Sequence, residues 1–143
     1  MNKQSIIDKC LNSGNRLTPL RQKVIDVMMS NKKHTSAYSI LDVINAEEKK
    51  PINVSTLYRI LDFWISIGVI HKVNATNTFV LCNDSHDNHN HILLHCQDCD
   101  SVIEKCEISR NFSNPMFNDF HLSPNEVIEF HGLCSKCSSS KNR

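Results

Sequence analysis

At 143 residues, with 40% hydrophobic and 22% charged positions, the chain has the composition of a globular protein of one ordinary domain or two small ones, not of a disordered or fibrous one. No apolar run approaches the ~20 residues of a membrane-spanning helix. The opening MNKQSIIDKCLNSG lacks the apolar core of a secretory signal, so a cytoplasmic protein with no membrane partner is expected. The net charge of +1 hides an asymmetry: residues 1–81 carry 11 Lys/Arg against 6 Asp/Glu, and residues 82–143 carry 5 against 9. A basic half suits a polyanion and an acidic half suits cations.

In chain order, Ser5 to Asn12 has Ile6, Ile7, Cys10 and Leu11 at helical spacing, with Gly14 as its stop. Thr18-Pro19 opens a second helix to about Ser30, with Leu20, Val24, Val27 and Met28 on one stripe. A third, capped by Thr35 or Ser36, runs through Ile40, Leu41 and Ile44 toward Glu47, and Pro51 forbids its continuation. The fourth spans about Asn53 to Ile67. It turns Val54, Leu57, Leu61 and Trp64 inward and Ser55, Thr56, Tyr58, Arg59 and Asp62 outward, and Gly68 ends it. V-I-H-K-V, a turn over Asn74 to Asn77 and F-V-L-C then read as a hairpin. Helices followed by a two-stranded wing describe a winged helix-turn-helix, whose last helix before the wing enters the major groove.

Residues 83–90 are polar and aperiodic, as in a hinge. They separate an expected winged-helix domain, 1–82, from an expected dimerisation and metal-binding domain, 91–143. There, I-L-L-H-C and S-V-I-E-K-C read as strands around a C-Q-D-C turn. A helix follows over roughly Arg110 to Phe120, then a strand in E-V-I-E-F-H-G-L-C, C-S-K-C and a polar tail. The fold class is therefore α+β: a winged helix-turn-helix followed by a small α/β dimerisation domain. Roughly fifty residues bury too little core to stand alone, so this half needs a metal, a partner subunit or both.

Seven cysteines in a reducing compartment point to metal ligation before disulfides. Cys96-Gln-Asp-Cys99 and Cys134-Ser-Lys-Cys137 each place two thiolates on one tight turn. Together they complete a tetrahedral sulfur shell suited to zinc, closed to further ligands and so structural. A second constellation draws on both halves: His71 and Cys82 on the wing strands, His89 or His91 just past the hinge, and Glu104. One thiolate, two imidazoles and a carboxylate favour zinc over iron or manganese, which prefer more nitrogen and oxygen ligands. Most other histidines read as surface residues; His86 and His95 stay unassigned, and His121 and His131 could pack against the zinc knuckles. Cys10 and Cys106 read as buried thiols.

The chain resembles the ferric uptake regulator (Fur) family, and within it the zinc uptake regulator (Zur) branch, over roughly Leu11 to Cys137. The motifs are R-L-T-P-L-R at 16–21, H-T-S-A-Y at 34–38, S-T-L-Y-R-I-L at 55–61, G-V-I at 68–70, H-x-H at 89–91, C-x-x-C at 96–99 and H-G-L-C-x-x-C at 131–137. The resemblance implies that Cys96, Cys99, Cys134 and Cys137 hold structural zinc, and that His71, Cys82, His89 and Glu104 form the sensing shell, with His91 the alternative to His89. Cys82 matches the zinc branch, because iron-type members generally carry a carboxylate there. His34 matches a position where iron-type members place a sensing ligand. The resemblance also implies that Tyr58 and Arg59 contact bases and that Tyr38 touches phosphate. By chemistry alone Ser55, Thr56, Arg21 and Lys23 suit phosphate, and Arg59 suits the O6 and N7 of guanine.

The expected function is a zinc-responsive transcriptional repressor. It binds double-stranded operator DNA as a homodimer when its sensing site is loaded, and it has no catalytic residue and no small organic substrate. The runner-up is an iron-responsive repressor of the same family. A thiol redox or peroxide sensor would need an exposed, low-pKa cysteine beside a resolving partner, and a zinc hydrolase would need an open coordination position.

Overall fold

Four helices of the N-terminal half each begin on a residue whose side chain accepts a hydrogen bond from the backbone N–H three positions on. The pairs are Asn2 with Ser5 for α1 (Lys3–Asn12), Thr18 with Arg21 for α2 (Pro19–Ser30), Ser36 with Ser39 for α3 (Ala37–Glu47) and Asn53 with Thr56 for α4 (Val54–Ser66). Each cap satisfies one of the N–H groups that a helix start leaves unpaired. At the far ends, Gly14 (φ +76°) and Gly68 (φ +73°) take up the left-handed backbone that a side chain disfavours. The computed structural model describes residues 1–31, 34–83, 90–106, 119–120, 123 and 126–141.

The chain forms two units, Met1–Ser85 and His86–Arg143. In the first, Ile6 and Cys10 of α1, Val24, Ile25, Val27 and Met28 of α2, Ala37, Ile40 and Ile44 of α3, and Leu57, Ile60, Leu61 and Trp64 of α4 bury together with Val69, Ile70 and Phe79. Val54, expected on that stripe, is only half-buried. Trp64 is wholly enclosed, and its indole N–H donates to the Arg21 carbonyl at 3.2 Å, so no polar atom of the ring is left without a partner.

The wing differs from the expected two-stranded hairpin. Its strands β2 (Ile70–Val73) and β3 (Thr78–Leu81) pair antiparallel, but β1 (Thr35–Ser36) adds to the other edge of β3, giving the order β1-β3-β2. Two residues are too short for any periodicity, and their cap chemistry hides the strand. Ser36 in fact does both jobs, pairing with Thr78 and capping α3.

In the second unit, β4 (His91–Cys96) is flanked by antiparallel β5 (Val102–Glu104) and parallel β6 (Val127–Gly132), in the order β5-β4-β6. The polar tail holds a helix that the sequence reading missed, α5 (Ser135–Lys141). Its serines are weak helix formers; the turn is nucleated at the knuckle, where Ser138 N–H donates to the Cys134 carbonyl at 2.8 Å. The helix expected over Arg110 to Phe120 lies outside the described residues except at positions 119 and 120, as does the hinge except at Asn83 and Asn90. No helix among the described residues is long and apolar enough to cross a membrane.

Candidate metal centres and nucleic-acid face

The parallel pairing of β4 with β6 sets Cys96 opposite Gly132, so both strands deliver their C-x-x-C turns at the same end of the sheet. The sulfurs of Cys96, Cys99, Cys134 and Cys137 all lie within 4.8 Å of one another, and Cys99 Sγ is 3.9 Å from Cys134 Sγ. A regular tetrahedron with Zn–S bonds of ~2.3 Å has edges of ~3.8 Å. The Cys99–Cys134 pair already stands at that spacing, and no pair of the four exceeds it by more than about 1 Å.

Their electrostatics agree with that assignment. The backbone N–H of Cys134, 3.3 Å from Cys96 Sγ, together with those of Cys99 and Asp98, pushes the Cys96 thiol down to about 6. Hydrogen bonding with the side chain and backbone of Ser101, whose Oγ is 3.2 Å away, lowers Cys99. Cys137 is pushed up, chiefly through its hydrogen bond with Cys134, as befits the last thiol to ionise among neighbouring thiolates. Lys141 of α5 reaches Asp98 at 3.3 Å and ties the two knuckles together on the outside.

The other candidate ligands fall into two groups, one in each unit. In the wing, His71 pairs with Val80, and Cys82 N–H donates to the Val69 carbonyl at 2.9 Å, which continues the same register by one step. Residues two apart share a face, so His71 and Cys82 are diagonal cross-strand neighbours. Both are buried, at 3% and 2% exposure. His34 directly precedes β1 of the same small sheet, its Nδ1 2.8 Å from Thr78 Oγ1.

In the second unit, Leu93 pairs with Glu104, which puts His91, Glu104 and Cys106 on one face. His91 Nδ1 is 3.1 Å from Glu104 Oε1 and 3.3 Å from Cys106 Sγ, and the Cys106 thiol donates to that same carboxylate oxygen at 2.8 Å. His89 lies outside the described residues, so of the two alternatives His91 is the one seen beside Glu104. Cys106 is buried as expected, yet it touches both candidate ligands. The alternation Glu104-x-Cys106, which carries the face of β5 past its last residue, was the signal for that contact.

On α4, Ser55 and Arg59 are exposed, whereas Thr56 and Tyr58 are half-buried. Thr56 gives its hydroxyl proton to the cap oxygen of Asn53 at 2.9 Å, and the Tyr58 ring stands edge-on to Phe79 with centroids 6.4 Å apart. Tyr38 projects from the start of α3 at 65% exposure. Arg21 and Lys23 are engaged internally. The Arg21 guanidinium donates to the Arg16 carbonyl at 2.6 Å and lies 3.5 Å over the Phe63 ring. Lys23 pairs with Glu48 at 2.8 Å and Glu47 at 3.1 Å, and those two bonds raise its pKa.

A capped helical unit with a wing, followed by a cysteine-knuckled α/β unit with buried imidazoles, thiols and a carboxylate, defines the class: a metal-binding winged-helix regulator. The chain belongs to the ferric uptake regulator family, whose profile matches residues 12–116. It is accordingly a regulator and not an enzyme, and its similarity to the zinc branch holds across nearly the whole chain. The zinc uptake regulation protein of Escherichia coli (strain K12) is 36% identical over 134 residues, covering 90% of this chain and 76% of that protein. Among solved structures, a zinc uptake regulator complexed with zinc and DNA superposes with a TM-score of 0.78 at 31% identity, covering 100% of this chain and 99% of the other. The holo form of XcZur superposes with a TM-score of 0.73 at 29% identity over 96% of each chain.

Proposed function

We propose that this protein is a zinc-responsive transcriptional repressor of zinc uptake genes, acting in the cytoplasm as a homodimer that binds operator DNA when its sensing site is loaded. The observation that carries the reading is a buried thiol and imidazole in the wing, Cys82 with His71, matched by a buried imidazole and carboxylate, His91 with Glu104, in the second unit. Side chains of these types are rarely enclosed without a partner or a metal. A single ion drawing on all four would have an N₂SO shell, and the thiolate would weight it toward zinc over iron. The similarity to a zinc uptake regulator bound to zinc and DNA supports the same assignment.

The DNA contact falls to α4, the helix before the wing, where Arg59 is free to donate two hydrogen bonds to a guanine edge from an exposed position flanked by Ser55. Tyr58, half-buried and edge-on to Phe79, is the neighbouring base contact, and Tyr38 and Thr56, near the starts of their helices, serve the phosphate backbone. The dimer falls to the second unit. Across its sheet, Leu94 pairs with both Ile103 and Phe130, and the latter two are 43% and 49% exposed. That apolar row lies on the face opposite His91 and Glu104, and a second copy would cover it.

Control follows from where the ligands sit. His71 and Cys82 belong to the DNA-binding unit and His91 and Glu104 to the dimerising unit, so holding one ion in common restricts the arrangements available to the two recognition helices. A bound ion supplies coordination and no redox chemistry. A roughly hundredfold gain in operator affinity needs only ~2.7 kcal/mol of coupling, small beside typical zinc binding energies. Gel shifts on the uptake promoters test the reading. Tight binding is expected with zinc, about a hundredfold weaker binding after removal of exchangeable metal, and no recovery with iron(II) at equal concentration. Equal affinity in the metal-stripped protein, or recovery by iron at lower concentration than zinc, overturns it.

A further inference from the structure

We propose that His95 and His131 form a further site for a borderline divalent cation, zinc in the first instance, separate from the four-cysteine centre and from the His91–Glu104 half-site. The two residues are register partners on the parallel strands β4 and β6. Their rings meet edge to face with centroids 5.5 Å apart, and their Nδ1 atoms lie 3.4 Å from one another. Each far nitrogen has a carboxylate: His95 Nε2 is 3.1 Å from Asp100 Oδ1, and His131 Nε2 is 3.8 Å from Glu129 Oε2.

The Asp100 carboxylate at His95 Nε2 favours the ring proton there and leaves the Nδ1 lone pair for the side facing His131, which is how ligand histidines are commonly oriented. At 3.4 Å the contact between the two Nδ1 atoms is long for a hydrogen bond between ring nitrogens, so an ion that replaces it displaces little. The spacing does match a metal site. With Zn–N bonds of ~2.0–2.1 Å, the edge of a tetrahedron joining two nitrogens is ~3.3–3.4 Å. The same test that the cysteine sulfurs meet is thus met by these nitrogens.

Local backbone supports the arrangement. Asp100 occupies the left-handed region (φ 57°), uncommon for a residue with a side chain, and its N–H closes the knuckle turn on the Cys96 carbonyl at 2.9 Å while its carboxylate reaches His95. His95 is buried, whereas the His131 side chain is 41% exposed, so a cation has a way in. Two protein nitrogens with water in the remaining positions make a weaker, exchangeable site, and copper(II) or nickel(II) would bind it more tightly than zinc or about as tightly. His95 directly precedes Cys96, and His131 lies three residues before Cys134. An ion here would therefore tie the two strands together just behind the knuckles. The inference does not depend on DNA binding.

Full-length protein dialysed against graded free zinc, with metal per chain measured by atomic emission, tests it. The unmodified protein should take up one more equivalent at high free zinc than the two that its four-cysteine and sensing sites account for. His131→Ala should lack that last equivalent, keep the tighter ones and retain zinc-dependent gel shifts. Asp100→Asn should shift its uptake to higher free zinc. With cobalt in place of zinc, the added equivalent should show no thiolate charge-transfer band. Failure of the unmodified protein to take the extra equivalent, or its unchanged uptake by His131→Ala, overturns the proposal. Loss of the four-cysteine zinc along with it does so as well, since the pair would then be knuckle packing.

Discussion

The two units reach a folded state by different means. The first gathers sixteen buried residues from four helices and the wing into one apolar cluster, with a single buried indole satisfied by a backbone carbonyl. Among the described residues of the second, the buried set is Ile92, Leu93, Cys96 and Cys106 with His91 and His95, so half or more of what is enclosed is polar or metal-ligating. Burying apolar area stabilises the first unit without a cofactor. The second encloses side chains that cost free energy to desolvate and are repaid only by an ion or by one another. One half is held by exclusion of water, and the other by ligation.

Breaking the ligation should therefore have the largest effect. Cys96→Ser removes the thiol with the most N–H donors around it. Structural zinc contributes on the order of 10–16 kcal/mol in small cysteine-rich folds, as much as the whole net stability of a typical domain, about 5–15 kcal/mol. The variant should lose one zinc per chain and elute as a monomer or aggregate in size-exclusion chromatography. The helical circular dichroism of the first unit should persist. If instead the helices melt with the knuckle, the two units do not fold by separate means and the contrast drawn above is wrong.

That contrast also explains what was readable from residues alone. Helix starts in the first unit are written in single positions (Thr18-Pro19, Ser36, Asn53), because a cap is a local hydrogen bond, and the apolar stripes that follow are local too. The four-cysteine site was legible for the same reason: two thiols on one turn announce their ligation without knowledge of the fold. What escaped was non-local or too short. Strand β1 needs β3 to exist, α5 is made of poor helix formers held at the knuckle, and the contact of Cys106 with Glu104 and His91 depends on register. The meeting of His95 with His131 depends on a parallel pairing across 36 positions, which no spacing rule encodes. Lys23 and Arg21 had the right chemistry for phosphate, but proximity to Glu47, Glu48 and Phe63 gave them other partners.

A smaller effect is expected where a ligand belongs to the unit that does not depend on metal for its fold. Cys82→Ser leaves the wing register and the apolar cluster intact, since the Cys82 backbone makes the strand bond to Val69 and its side chain lies outside that cluster. The variant should stay a folded dimer with its structural zinc. Its operator affinity in saturating zinc should fall about a hundredfold, the ~2.7 kcal/mol of coupling assigned to the sensing shell. Normal zinc-dependent gel shifts by Cys82→Ser would remove this residue from the shell and turn attention to His34, whose ring contacts Thr78 of the wing.

The smallest effect sharpens the comparison from the other side. Asn53 Oδ1 accepts from both Thr56 N–H and Thr56 Oγ1 at 2.9 Å and so holds the first turn of α4 in place. Asn53→Ala deletes both bonds, and losing an N-cap costs about 1 kcal/mol. For a unit of this size that lowers the melting midpoint by roughly 4–8 °C. Ser55 and Arg59 sit within the turns that fray, so operator affinity should weaken severalfold, while zinc content and dimer elution stay unchanged because no ligand or apolar sheet contact is touched. Calorimetry beside metal analysis reads both quantities on one sample. A fall in bound zinc with so small a loss of helix stability would mean that ligation in the second unit leans on the apolar unit after all.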